Sequence, residues 1–206
     1  MEGDDGCGQE DDDRRLMRRI YYLWDEAIRD ACRWSSVPAE FLATLIANES
    51  GGEPGRTQFQ PQLYRGLLAV RSGERLHYAT VTREDLRVVK DEQLMEYAAT
   101  YGLTQIMGCQ VLRDRVSPHR LLEPELNLRK SLQLLAIFAE YCQLDLGTEF
   151  EELLRCWNTG RPDGVTADPE YVQNGLRRMA IYREFSRPMA ATTRAELAAP
   201  VPAAVP

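Results

Sequence analysis

Apolar residues recur along most of this chain at intervals of three and four, the period of amphipathic helices. Leu16, Ile20, Leu23, Trp24, Ala27, Ile28 and Ala31 set that rhythm over residues 14–34. Ser35 or Ser36 offers a cap for a second helix, with Pro38 in its first turn, running to about Asn48 and stopped by Ser50-Gly51-Gly52. Residues 51–61, with two prolines and three glycines, read as a loop. A short helix over 62–71 closes at Ser72-Gly73, and a short strand is predicted near 78–81. Thr82 with Asp85 resembles a capping pair for another short helix, and Asp91 starts the next. Gly102 interrupts the pattern before a helical segment at 104–112. Residues 123–144 form the longest later helix. Its centre, 134–139, is apolar on every side, which marks it as the buried spine of the core. Thr148 with Glu151 reads as a capping box for 149–158, where Phe150, Leu153, Leu154 and Trp157 share a face. Asp168-Pro169 then opens a last helix to about Phe185. The pattern predicts one mainly α domain over 14–187, without internal repeats.

Charge adds two flanking segments to that picture. The formal net charge is −7, but seven acids and no base fall in the first thirteen residues. The remainder carries 25 residues of each sign. Residues 1–13 therefore read as an acidic disordered leader, and 188–206, where eleven of nineteen residues are Ala or Pro, as a disordered tail. A balanced body excludes the basic footprint of a nucleic-acid binder. With 44% apolar residues it supports one sizeable core or two small ones.

The N-terminus lacks the basic and apolar regions of a secretory signal, and the apolar stretch 132–139 is too short to span a bilayer. Of five cysteines (Cys7, Cys32, Cys109, Cys142, Cys156) at least one must stay unpaired, and none forms a CxxC pair. The two histidines, His77 and His119, stand far apart without ligand spacing. A reduced protein with no metal and no cofactor is expected.

Three places could carry chemistry. Glu49 lies on the wheel of the second helix in the middle of the stripe made by Phe41, Leu42, Leu45 and Ile46. Its face points to the core, and a carboxylate at a helix C-terminus opposes the macrodipole. Both effects disfavour the charged form and raise the pKa, as a general acid near neutral pH requires. The alternative is that the helix ends a turn early and Glu49 faces solvent. Second, in residues 101–108 (Tyr-Gly-Leu-Thr-Gln-Ile-Met-Gly), Gly102 permits close approach or positive φ. Gln105, one turn into the following helix, offers a donor and an acceptor. By itself this is also an ordinary helix start. Third, Cys156-Trp157-Asn158-Thr159-Gly160 places an aromatic and an amide at a helix end, which is equally an ordinary C-cap with Trp157 in the core.

Taken in order, Glu49-Ser50-Gly51, Gly102-Leu103-Thr104-Gln105-Ile106, Trp157-Asn158-Thr159-Gly160 and Tyr171-Val172 resemble the transglycosylase SLT domain. This is the soluble lytic transglycosylase and goose-type lysozyme group, with its lysozyme-like fold. The corresponding family motifs are Glu-Ser-Gly, Gly-Leu-Met-Gln-Ile, Ala-Tyr-Asn-Ala-Gly and a final Tyr-Val helix. Glu123-Pro124-Glu125-Leu126-Asn127-Leu128 is also similar to the Asp-Pro-x-x-Asn-Ile start of the family's central helix. The resemblance covers about residues 37–185. It implies a lysozyme-like helical domain around a buried central helix, with an insert at about 55–98 holding a short β element.

It also implies cleavage of the β-1,4 bond between N-acetylmuramic acid and N-acetylglucosamine in peptidoglycan glycan strands. Glu49 would be the single acid and base, and the product a 1,6-anhydro sugar, in keeping with substrate-assisted exceptions to the two-carboxylate rule. By the same resemblance Ser50 orients the catalytic turn, Gly102 and Leu103 shape the substrate-binding turn, and Gln105, Trp157 and Asn158 hold the sugar. Tyr171 lines the cleft or contacts Glu49.

Departures from the family qualify this. Trp157 replaces a tyrosine, Met107-Gly108 replaces Met-Pro, and Gly102 falls 53 positions after Glu49, some thirty more than in the plain family pattern. The insert carries Glu74, Glu84, Asp85, Asp91, Glu92 and Glu96; one of these, or Asp163 or Asp168, as a second carboxylate would make the enzyme a hydrolytic muramidase instead. A non-catalytic glycan-binding or structural module is the third reading. A monomer is expected, made in the cytoplasm and acting at the cell wall after phage- or secretion-system-dependent release.

Overall fold

The computed structural model describes residues 5–186, in which eight α-helices carry most of the chain and five short strands lie between the second and the sixth. The first helix, α1 (Asp5–Cys32), starts well ahead of residue 14. The disordered leader expected over 1–13 therefore does not hold for residues 5–13. Asp13 is only 3% exposed and pairs with Arg177 and Arg178, far along the chain. A local charge count leaves Asp13 unopposed, and the fold brings its opposing bases from the other end of the sequence. Residues 1–4 and 187–206, which include the predicted Ala/Pro-rich tail 188–206, lie outside the described residues.

The spine of the core is α2 (Ala39–Glu49), in which every residue from Phe41 to Ala47 is buried. It starts after Pro38, whose extended backbone (φ −66, ψ 145) suits helix entry, and no side chain caps it. Ser35 instead accepts the Val37 N–H at 3.1 Å. Two helices, α1 and α8 (Tyr171–Ser186), pack on α2. The role of spine predicted for 123–144 passes to α2. That segment is α6 (Pro124–Cys142), which buries Leu128, Leu135 and Ala139 but leaves Ile137 50% exposed. It packs by one face on α1 and α7 (Phe150–Thr159), so its all-round apolarity does not mean all-round burial. The Thr148–Glu151 box does not form. Asp145 accepts from the Gly147 N–H at 2.7 Å and the Thr148 hydroxyl at 3.0 Å, and Glu149 accepts the Asp145 N–H at 2.6 Å.

Between α2 and α6 the chain builds a second, smaller layer: β1 (Thr57–Phe59), α3 (Pro61–Ser72), β2 (His77–Tyr78), β3 (Val81–Thr82), α4 (Arg83–Leu86), α5 (Asp91–Tyr97), β4 (Ala99–Tyr101) and β5 (Ile106–Met107). An antiparallel sheet runs in the order β1–β4–β5, with Thr57 opposite Tyr101 and Tyr101 opposite Ile106. The strand expected near 78–81 is the β2–β3 hairpin, and the Thr82–Asp85 capping box is present. The loop expected over 51–61 contains β1. The helix expected over 104–112 is replaced by β5 and a 3₁₀ turn, Gly108–Val111. Gly102 (φ +76) and Gln105 (φ +52) both adopt left-handed backbone, which reverses the chain and prevents a helix from starting there.

This layer has its own apolar cluster around Leu63, Leu67, Val70, Leu86 and Leu94. A third cluster (Tyr101, Ile106, Val111, Leu121) joins it to α6, and Trp157 touches both this cluster and the main core. Among the described residues no helix is long and apolar enough to cross a membrane.

Candidate active site

Glu49 is the last residue of α2, so it sits where the unpaired carbonyls of the helix end concentrate negative potential. Its side chain is half-buried. Burial pushes its carboxyl up to about 7, while a hydrogen bond from Tyr171 and the positive charge of Arg56 pull the other way. The Tyr171 hydroxyl donates to Glu49 Oε1 at 2.5 Å. Tyr171, 7% exposed, opens α8, and its phenol is held well above its ordinary pKa by burial and then by the Glu49 charge. It therefore stays protonated, and a donor to Glu49, through neutral and mildly basic pH.

The turn after Glu49 is fixed by side chains. The Ser50 hydroxyl donates to the Ile46 carbonyl at 3.3 Å and accepts the Gly52 N–H at 3.1 Å. Gly51 and Gly52 both have positive φ. The indole of Trp24 donates to the Gly52 carbonyl at 3.1 Å, and Arg19 donates to that of Gly51 at 2.5 Å. Ser50 thus braces the turn that follows Glu49.

Gly102 and Gln105 begin and end the turn between β4 and β5. The Gly102 N–H donates to the Arg56 carbonyl at 2.8 Å. A Cβ on Gly102 would fall 2.3 Å from the Leu121 carbonyl oxygen and 2.5 Å from Asn127 Nδ2, so no larger residue fits. Gln105 does not present a free amide as expected. Its Nε2 donates to the carbonyls of Arg56 (3.1 Å) and Gly102 (2.8 Å), and its Oε1 accepts from Thr100 (2.9 Å). The amide closes the β4–β5 turn and ties the Arg56 backbone to it. Leu103 is wholly buried in the main core. On α7, Trp157 is half-buried and Asn158 exposed; neither hydrogen-bonds to Glu49, and Asn158 keeps its amide free of bonds within the described residues.

Two sets of residues to which the sequence alone gives no role support the β4–β5 turn and the end of α2. Asn127, wholly buried, accepts from the Thr104 N–H (3.0 Å) and hydroxyl (2.7 Å) and donates to the carbonyls of Tyr101 and Leu121 (2.9 Å each). Ser131, one turn along, meets the same Thr104 hydroxyl at 2.7 Å. The signal was available: two small polar residues four apart on the apolar face of a helix need internal partners. On the other side, Asn48 donates to the Tyr171 carbonyl at 3.1 Å and accepts from Arg178 at 2.8 Å, and Arg178 in turn reaches Asp13 at 2.7 Å. Nothing local in the sequence links Asp13 to Arg178.

The acids considered as a second carboxylate are mostly engaged elsewhere. Asp85 pairs with Arg113, Glu84 with Arg87, Asp91 with Arg71, Glu96 with His119 and Asp163 with Arg161. Asp168 accepts the Glu170 N–H at 2.9 Å. No carboxylate is among the groups that shift Glu49. No cluster of three or more His, Cys, Asp or Glu that could hold a metal occurs among the described residues. A concavity of about 390 Å³ between Ser36, Glu140 and Leu146 holds none of the residues of this site. Comparison of the chain with protein-family models, with curated proteins and with solved structures gives no match.

Proposed function

We propose that this chain is a peptidoglycan-cleaving lytic transglycosylase of lysozyme-like fold, working with Glu49 as its one acid and base. The observation that carries this is a carboxyl raised to about 7, bonded by a phenol and acted on by no other carboxylate. With Oε1 accepting from Tyr171, the proton of neutral Glu49 resides on Oε2. From there it passes to the glycosidic oxygen as the C1–O bond breaks, leaving positive charge at C1 for the substrate's own N-acetyl group to stabilise. The resulting carboxylate then takes the proton of the muramoyl C6 hydroxyl as its oxygen bonds to C1, which closes the 1,6-anhydro ring and restores neutral Glu49. A pKa near the working pH serves both halves of this cycle. Arg56 supplies a nearby positive charge that keeps the carboxylate form accessible. Trp157 and the free amide of Asn158 are the candidate sugar contacts on the α7 side.

Mass spectrometry of digested peptidoglycan tests this. Wild type is expected to release fragments ending in 1,6-anhydro sugars, lighter by one water than hydrolytic products, and Glu49→Gln to release none. Hydrated ends from wild type would make the enzyme a muramidase. Release of no fragments by wild type would leave a glycan-binding module.

A further inference from the structure

The acidic first stretch of the chain takes no part in the chemistry above, yet one of its carboxylates is among the most buried charged groups in the molecule. We propose that Asp13 is a positioning residue for the Glu49–Tyr171 pair, acting through Arg178 and Asn48; this rests on Glu49 being the working acid. Asp13 Oδ1 accepts from Arg178 Nε and Oδ2 from Arg177 Nε, each at 2.7 Å. Without the shared carboxylate, two neighbouring guanidinium groups at half-buried positions would repel each other and turn towards solvent.

Arg178 then donates from Nη1 to Asn48 Oδ1 at 2.8 Å. A guanidinium only donates, so this contact fixes which end of the Asn48 amide is oxygen. The NH₂ end is left facing the Tyr171 carbonyl, to which it donates at 3.1 Å. Asn48 and Glu49 are adjacent at the end of α2, and Tyr171 is the first residue of α8. The two helix ends are thus joined twice, once through the Tyr171 main chain and once through its hydroxyl. Asp13 sets the first joint, and the first joint holds the second in place.

A merely structural Asp13 and a positioning Asp13 make opposite predictions for Glu49. The groups facing Glu49 are Tyr171 from α8 and Arg56 from the segment before β1, and Arg178 faces Tyr171. Removing a negative charge from α1 and releasing two cations favours the carboxylate at long range and lowers the Glu49 pKa. Loosening the Tyr171 hydroxyl withdraws a donor to the carboxylate and raises it.

The test is a ¹³C NMR titration of the Glu49 carboxyl in the full chain, for wild type, Asp13→Asn, Arg178→Lys, Tyr171→Phe and the Asp13→Asn/Tyr171→Phe pair. kcat and KM on peptidoglycan are measured alongside. Asp13→Asn and Arg178→Lys are expected to move the titration upward by about half a unit, as Tyr171→Phe does, and Asp13→Asn to add nothing once the hydroxyl is gone. kcat should fall about tenfold with KM unchanged. A titration that is unmoved or moves down in Asp13→Asn overturns the proposal, as does a shift that persists without the Tyr171 hydroxyl. Arg178→Lys keeps a cation beside Asp13 and carries the test if Asp13→Asn does not fold. A wild type that cleaves no glycan defeats the proposed function, while the titration still decides the coupling.

Discussion

Two carboxylates in this molecule stand beside a hydroxyl and near an arginine, and their acidities are driven in opposite directions. Glu49 is raised to about 7, whereas Asp85, in the small layer between α2 and α6, is lowered to about 2. Asp85 lies at the start of α4, where backbone N–H groups point at it, and it accepts from both the Thr82 N–H and hydroxyl at 2.8 Å. Arg113 adds a two-pronged contact at 3.0 Å on each oxygen. Glu49 lies at the opposite helix pole, receives one hydrogen bond and loses its water to the core. Residue type and nominal partners do not separate these acids. Helix polarity, donor count and burial do, and under the proposed function they suit one to chemistry and the other to structure.

The sharpest way to break the comparison is to remove each carboxylate. Glu49→Gln should abolish detectable peptidoglycan clearing, a loss of at least about 10²–10⁴-fold as for a general acid, with the thermal transition retained. Asp85→Asn should leave the clearing rate per folded molecule within a factor of about two, since Asp85 only caps and bridges. Equal losses from the two substitutions would erase the distinction.

Stability should respond in opposite senses to pH. In the unfolded chain Glu49 ionises near 4.5, and in the fold near 7. Below about 4.5 both states are protonated and Glu49 costs nothing. As pH rises the fold loses stability until the cost levels off above about 7, at a ceiling of about 3 kcal/mol that partial exposure reduces. Glu49→Gln should therefore match wild type below about pH 4.5 and exceed it in melting temperature above 7. Asp85 is lowered, so its contribution is present above about 3.8 and lost as pH falls through about 2. Asp85→Asn should destabilise by about 1–2 kcal/mol at neutral pH and by little at pH 2, as denaturant midpoints will measure.

The smallest displacement on the pH axis is expected from Tyr171→Phe. Losing one donor should move the basic limb of kcat/KM upward by about half a unit, because the hydroxyl favours the ionised form of Glu49. A downward shift would mean that the phenol stabilises the neutral acid instead.

Much of this site was legible from periodicity. The apolar stripe of Phe41, Leu42, Leu45 and Ile46 placed Glu49 on the inner face of its helix, and the Thr82–Asp85 spacing announced its cap. Apolarity alone misassigned the spine, because 134–139 is as hydrophobic as a buried helix but has neighbours on one side only. Spacing alone makes Gln105 a helical amide facing substrate, because helical spacing carries no trace of a left-handed φ in a tight turn between two strands. Asp13 was counted with a solvated acidic run, since its bases lie more than 160 residues away. Local pattern reports faces and caps, whereas polar pairs closed by tertiary contact leave no local mark.

The most direct test of Glu49 as a single neutral acid is the rate of anhydro-ended muropeptide release across about pH 5–9 for wild type and Glu49→Gln together. Wild type should hold a steady rate on the acid side and fall about tenfold per unit above about 7, while Glu49→Gln yields no anhydro ends at any pH. Anhydro ends from Glu49→Gln, or a wild-type rate unchanged from about pH 6 to 9, would contradict it.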